Sequence, residues 1–379
     1  MKPVVTHCVF FTDRVVWNAH MSTPRLAFVL GTRPEIIKLS PLVRACLERA
    51  IPHVVVHTGQ HYSESLDAVF FEQLELPTPT YDLGVGSDDH GEQTAAMIRG
   101  VESVLEAERP ANVVVQGDTN SALAGAIAAS KRDPSLAHVE AGLRSFDREM
   151  PEEINRVLVD HAADHCFAPT EESARLLAAE GIDGDRVRVT GNTIVDAVSQ
   201  HRDLATEKSD VLAEHDLEPG AFYLLTAHRA ENVDDPERFA GILEGVGAFA
   251  TRTDREVVYP IHPRARETLA AFELSVPEPI RLVDPLDFLD FLTLEHHARL
   301  AVTDSGGVQE EACILGTPCV TVRDSTERPE TVDIGANRLV GTEPSAIVAG
   351  AEAMVDRPGT WSNPFGDGDA ADRILDALL

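Results

Sequence analysis

The sequence predicts an α/β protein with two doubly wound parallel-sheet domains facing a central cleft, and three observations carry that expectation. Continuously apolar, β-branched runs such as Val54 to Val56 and Val113 to Val115 alternate with helical patterns, as strands buried on both faces by crossover helices do. The alternation occurs twice, and the second series does not repeat the sequence of the first. A chain of 379 residues with 43% apolar character also exceeds what one core usually serves.

The first series places strands at 25–30, 53–58, 111–117, 136–140, 164–168 and 186–190, with helices between them. The second places them at 221–226, 255–260, 280–283, 299–303 and 318–322. Between the series, the polar stretch from His201 to Gly220, ending in Glu218, Pro219 and Gly220, reads as the linker, so a boundary is expected near residue 200. The expected organisation is an extension outside the fold at 1–22, an N-terminal domain at 23–198, a C-terminal domain at 199–360, and a helix at 361–379 packing back on the N-terminal domain. The extension is expected because the periodic pattern starts only at Arg25, while Met21 to Pro24 reads like an ordinary start. Doubly wound folds bind ligands outside the carboxyl ends of their strands, so the strand-to-helix turns should hold the chemistry.

Asp and Glu total 63 against 32 Lys and Arg, a formal net charge of −31. Such a surface repels polyanions, and neither nucleic acid nor an anionic membrane is expected as a partner. Lysine occurs only at Lys2, Lys38, Lys131 and Lys208. This composition suits a halophilic protein, in which ions screen the self-repulsion of a dense acidic surface; an ordinary acidic protein is the alternative. Cys8, Cys46, Cys166, Cys313 and Cys319 form no CxxC pair, so neither a disulfide framework nor a metal site is implied. No apolar run reaches the roughly 18 residues of a bilayer span, and the first twenty residues carry His, Asp, Arg and Asn inside any would-be signal segment. A cytoplasmic location is the expectation.

The first strand runs into Gly31-Thr-Arg-Pro-Glu-Ile-Ile-Lys38, which puts Arg33 and Lys38 at a helix start where free N–H groups and cations suit phosphate. Pairing with surface acids is the plainer reading of both. Later strands end at Asp118 and Glu140, and Pro151-Glu152-Glu153 opens a helix. Acids on one cleft raise one another's pKa toward neutrality and suit proton removal from a carbon acid; complementing the helix dipole is the simpler account of Glu152 and Glu153. His228 and Arg229 follow a strand end, as does His262, which satisfies its loop on the plainer reading. Thr303-Asp-Ser-Gly-Gly-Val-Gln-Glu-Glu311 is a strand, a glycine turn and a helix. Gly306 and Gly307 let a diphosphate approach the backbone, Ser305 donates to it, and Glu311 reaches ribose hydroxyls. Arg328 adds a cation, unless it belongs to a solvated charged loop. No Gly-x-Gly-x-x-Gly or Walker sequence is present, so nicotinamide and ATP-hydrolysis readings lose support.

Taken in order, GTRPEIIK, TGQHY, QGDTNSALA, HVEAGLRS, PEEINR, VTGNTIVDA, TAHRAEN, TDSGGVQEEA and RDSTERPE resemble the non-hydrolysing UDP-N-acetylglucosamine 2-epimerases over residues 25 to about 345. The resemblance implies two Rossmann-like domains in the GT-B arrangement and epimerisation at carbon 2 through loss and return of UDP, with no cofactor or metal. It implies Asp118, Glu140 and Glu152 as catalytic carboxylates and His228 as an aid to UDP departure. Arg33, Lys38, Ser305, Gly306, Gly307, Glu311 and Arg328 would then hold substrate and UDP, with Phe291 lining the uracil pocket. Leu286 departs from the pattern, standing where some relatives have Gln, which bears on uridine selectivity. Gln60 and His61 lie in the loop corresponding to an allosteric substrate site, and a homodimer is the implied assembly. Related possibilities are a hydrolysing epimerase, an epimerase of a diacetamido uronic acid derivative, and a glycosyltransferase of the same architecture.

Overall fold

The computed structural model describes residues 25–60 and 70–379; the expected extension at 1–22 and His61 lie outside the described residues. Seven parallel strands form the first sheet: β1 (Leu26–Leu30), β2 (His53–His57), β3 (Tyr81–Asp82), β4 (Asn112–Gln116), β5 (Ser135–Val139), β6 (His165–Ala168) and β7 (Val187–Val189). Their order is β3-β2-β1-β4-β5-β6-β7. The second sheet has six parallel strands, β8 (Tyr223–Thr226), β9 (Val257–Pro260), β10 (Ile280–Val283), β11 (Leu300–Thr303), β12 (Cys319–Thr321) and β13 (Asn337–Leu339). It runs β10-β9-β8-β11-β12-β13.

Every residue of β1, β4, β8 and β11 is buried, because these strands sit at the middle of their sheets with helices on both faces. All eleven expected strands are present. The two additional ones, β3 and β13, are edge strands of two and three residues with too little apolar pattern to register. Four cysteines, Cys46, Cys166, Cys313 and Cys319, are buried free thiols. Among the described residues, no helix is long and apolar enough to cross a membrane.

The expected linker is largely helix. Thr193–Lys208 is continuous through residue 200 and packs against the Arg33–Glu48, Phe288–His297, Gly306–Leu315 and Ala370–Leu378 helices. Polar His201 read as linker, yet it is fully buried, 3.1 Å from Arg44 Nη1 and 3.4 Å from Ser40 Oγ. Burial and Arg44 push its pKa down to about 3, so the ring is neutral and acts as a packing element. Around this helix one core cluster joins Leu26 and Phe28 of the first sheet to Leu289, Leu292 and Cys313 of the second domain.

The chain then returns to its start. Residues 370–378 form a helix against Arg33–Glu48, with Arg49 paired to Asp376 at 2.6 Å. Arg25 Nη2 donates to the Leu379 carbonyl at 2.7 Å, and Asn112 Nδ2 donates to that of Leu378 at 3.2 Å. The linker helix thus fastens the two domains together and the C-terminal helix packs against it and the first domain, while the carboxyl ends of both sheets face one another.

Candidate active site

Between those carboxyl ends lies a cavity of about 540 Å³. One wall comes from the turns after β1 (Thr32, Glu35, Lys38), β4 (Gln116 to Thr119) and β5 (Glu140), the other from those after β8 (Arg229), β11 (Ser305 to Glu311) and β12 (Glu327, Arg328). Strand order reverses between β1 and β4 and again between β8 and β11, so the cavity sits at the switch point of both sheets, where such folds bind ligands.

On the N-terminal wall, Gly31 is required by close approach: an added Cβ would collide with the hydroxyls of Thr58 and Ser121. Thr32 is the N-cap of Arg33–Glu48 but makes no side-chain cap bond; its hydroxyl is given to Glu35 instead. Fully buried Glu35 accepts from Gly31 N at 3.0 Å, Thr32 Oγ1 at 2.8 Å and Thr119 Oγ1 at 2.7 Å. Burial pushes its carboxyl up to about 7 despite these donors. The helix end expected to be open to phosphate is therefore occupied by a side chain of its own first turn. Arg33 does not join the wall; it is exposed, with its guanidinium 5.7 Å from the centre of the Phe70 ring. Lys38 does join it, turned not to an empty anion site but to Glu140, at 2.7 and 2.8 Å, and to Glu310 at 3.5 Å.

Glu140 has a left-handed backbone, φ 69°, a strained state for a residue with a Cβ that clusters at functional sites. Its carboxylate accepts from Lys38, Gln116 and Asn192, and Arg328 lies 3.7 Å away. Burial opposes its charge, but Lys38 and Arg328 outweigh burial and hold its pKa below the usual range. Asp118 is paired with Arg156, which also donates to Glu153 at 3.0 Å. The neighbouring acids divide their work: Glu152 lines the cavity, while buried Glu153 accepts from Ser145 N, Ser145 Oγ and Phe146 N at 2.9 to 3.0 Å and so shapes the loop after Glu140. Behind them, His138 meets Asp160 at 2.7 Å and the Gly117 carbonyl at 2.9 Å, fixing the turn that carries Asp118.

The C-terminal wall is built differently. Ser305 is the N-cap of Gly306–Leu315 yet makes no side-chain cap bond, so its hydroxyl and the first amides face the cavity. A Cβ on Gly306 would come no closer than 3.9 Å to Arg229, and one on Gly307 no closer than 3.8 Å to Ser305. The protein does not need these glycines for its own packing; they leave room for a ligand on the backbone. Arg328 donates to Glu310 at 2.6 Å. Buried Asp304 accepts from His228 N and Arg229 N, each at 3.0 Å, and from Asn232 Nδ2 at 3.2 Å, locking the turn after β8 to the glycine turn.

Asp118, Glu140, Glu152, Lys38, Ser305, Gly306, Gly307, Glu311 and Arg328 therefore meet at one cavity. His228 is outside its lining, half-exposed, with Nδ1 3.3 Å from Asp304. Phe291 also lies elsewhere, packed with Leu286 against Val211, Leu224 and Val283, because its place on the Phe288–His297 helix faces that cluster. Gln60 is committed to the start of the Asn120–Ala129 helix, accepting from Ser121 N at 3.0 Å and Ser121 Oγ at 2.8 Å. Sequence reasoning missed Glu35, Arg156, Glu310 and Glu327; only Glu35 had a local signal, the Thr-x-x-Glu spacing.

Two doubly wound sheets with one cavity spanning both switch points define the GT-B arrangement. The chain belongs to the UDP-N-acetylglucosamine 2-epimerase family, whose sequence profile matches residues 44–379. It is 50% identical over 360 residues to the UDP-N-acetylglucosamine 2-epimerase of Methanocaldococcus jannaschii, covering 93% of this chain and 98% of that protein. The crystal structure of the M. jannaschii UDP-GlcNAc 2-epimerase in complex with UDP-GlcNAc and UDP matches with a TM-score of 0.84, over 93% of this chain and 99% of that one. The UDP-2,3-diacetamido-2,3-dideoxy-D-glucuronate 2-epimerase of Pseudomonas aeruginosa is 39% identical, covering 93% of this chain and 98% of that protein.

Proposed function

We propose that this chain interconverts UDP-N-acetylglucosamine and UDP-N-acetylmannosamine without net hydrolysis. The observation that carries this reading is the opposition of the two walls: Asp118, Glu140 and Glu152 on one side face the open helix start of Ser305 to Gly307 and Arg328 on the other, across one cavity. Carbon 2 of the sugar is a weak acid, so losing its proton must be coupled to departure of a well-held leaving group. As the C2–H bond breaks, its electrons form the C1=C2 double bond, and the C1–O bond breaks with its pair leaving on UDP. Return of UDP to carbon 1, with a proton delivered to the other face of carbon 2, gives the epimer.

Residue roles follow from the geometry. The glycine turn and Arg328 hold the diphosphate. Glu152 has the freest carboxylate and Asp118 is oriented by Arg156, so these two handle the carbon 2 proton. Ionised Glu140 keeps Lys38 in the cavity and lends charge complementarity to the developing transition state. His228, with Nδ1 toward Asp304, leaves Nε2 to meet the departing phosphate when the domains close. Assembly as a homodimer belongs to the same proposal.

Incubation with UDP-N-acetylglucosamine in heavy water, with no acceptor, tests it. Deuterium at carbon 2 together with UDP-N-acetylmannosamine is the expected result. Free sugar as the principal product points to hydrolysis, and unlabelled substrate rejects the reading. The likeness to the Pseudomonas protein makes the diacetamido uronate nucleotide the comparison substrate; faster label exchange with it would reassign the sugar.

A further inference from the structure

A buried acid stands behind the open helix start, and neither the resemblance nor the proposed mechanism assigns it work. Glu295, on the Phe288–His297 helix, is fully buried, and neither of its carboxyl oxygens has a well-formed hydrogen bond from a protein donor. Its surroundings are uncharged: the Ala312 backbone N–H, which is turned toward the carboxyl and partly offsets its burial, Cys319, and Thr317, whose hydroxyl donates to the Glu295 carbonyl rather than to its carboxyl. The group its carboxyl meets is Glu311 on the adjacent helix, which lines the cavity.

Two ionised carboxylates cannot hydrogen-bond to each other, and an unpaired buried charge is prohibitively costly. One proton between them resolves both problems. Burial and Glu311 push Glu295 well above the usual carboxyl range, and burial pushes Glu311 up to about 7. The other groups facing the pair are Glu310, Cys319 and Lys38, and Lys38 is already engaged by Glu140 and Glu310. On the Thr193–Lys208 helix, packed against both, Asp196 turns to Ala371 and His201 to Ser40 and Arg44.

We infer that Glu295 is a positioning residue for Glu311: a proton shared between the two buried carboxyls fixes Glu311 with one oxygen turned into the cavity as an acceptor for nucleotide hydroxyls, and limits the pair to one negative charge beside an anionic diphosphate. The role in nucleotide binding rests on the function proposed above; the shared proton does not. Loss of that proton at higher pH places a second charge near the diphosphate and weakens binding.

The test compares the full-length wild type with Glu295→Gln, whose amide donates to Glu311 at every pH. UDP affinity is measured by calorimetry from pH 6 to 9, and the ratio of the two proteins cancels the titration of UDP itself. Equal affinities at pH 6 and a wild type weaker by about tenfold at pH 9, the effect of a one-unit shift in the pair's pKa on binding, are expected. The infrared difference between ligand-free wild type and variant at pH 6 should contain a carboxylic-acid C=O band that fades toward pH 9. Should Glu295→Gln not fold, Glu295→Leu leaves Glu311 as a lone buried acid, so the carboxylic-acid band should remain but at a frequency different from that of the shared proton in the wild type; an unshifted band overturns the inference. An affinity ratio constant within twofold, or no band, overturns the inference even if UDP binds. Failure of UDP to bind the wild type overturns the nucleotide reading and the positioning role with it, and the ligand-free band tells the two failures apart.

Discussion

The turn after β1 and the turn after β11 are the same local device, a buried strand running through glycine into a helix at a switch point, and they have been put to opposite uses. After β1, Glu35 folds back onto Gly31 N and closes the helix end with a carboxylate. After β11, Ser305 makes no cap bond, and two glycines leave the helix end open. A helix N-terminus is favourable for an anion, and the difference teaches that the anion is supplied by the protein on one wall and left to the ligand on the other. The first wall can then specialise in acids and proton handling, the second in gripping a diphosphate.

The sharpest way to break that division is to remove charge from the acidic wall. Asp118→Asn should lower turnover by roughly 10³-fold, the range for losing a positioned acid or base, and Glu140→Gln should lower it too by removing the charge that holds Lys38 in the cavity, while UDP affinity in both stays within a fewfold. Steady-state rates with calorimetry on the same preparations check it. A variant that loses UDP binding and turnover in proportion would make the two walls one binding surface.

Blocking the open wall should do the reverse. Gly307→Val places a side chain where the protein itself leaves space, so the melting temperature should hold while UDP affinity falls about 30-fold, close to 2 kcal/mol. Arg328→Ala should weaken UDP as well but with a loss of stability, because buried Glu310 then keeps only the longer contacts to Lys38 and Asn192, both at 3.5 Å. Thermal melts beside calorimetry separate the two variants; equal stability loss in both would mean that the glycine serves the fold.

Much of this contrast was legible in the sequence, and its limits have physical causes. Continuous apolar runs marked every central strand because burial on both faces leaves a pattern; β3 and β13, short and at the edges, leave almost none. The glycine turn could be read because only an open helix end uses Ser-Gly-Gly in that place. Arg33 was expected at the cavity and Glu35 was overlooked for one reason: both sit in the first turn of one helix, and which of them points inward depends on Thr119 arriving from the turn after β4 to bond Glu35, a contact 84 residues away in sequence. His201 looked like linker for the same kind of reason, since its burial is produced by Ser40 and Arg44 on another helix. Glu310 and Glu311 are adjacent in sequence, and only the tertiary structure gives one to Arg328 and Lys38 and the other to Glu295.

The smallest effect concerns the closed turn itself. Glu35 has its carboxyl raised from 4.5 to about 7 by burial, so the folded protein binds this proton more tightly than the unfolded chain. Its contribution is fully present below pH 4.5 and is lost as pH rises through about 7. Between pH 6 and 8 that loss amounts to about 1 kcal/mol, enough to lower the melting point by a degree or two in a chain of this size. Glu311 acts in the same direction, so the wild-type decline has at least two sources. Glu35→Gln cannot ionise and should shallow the decline without abolishing it. An unchanged slope in that variant would mean that the donors from Gly31, Thr32 and Thr119 already hold Glu35 ionised at pH 6, making the closed turn a permanent anion rather than a titrating one.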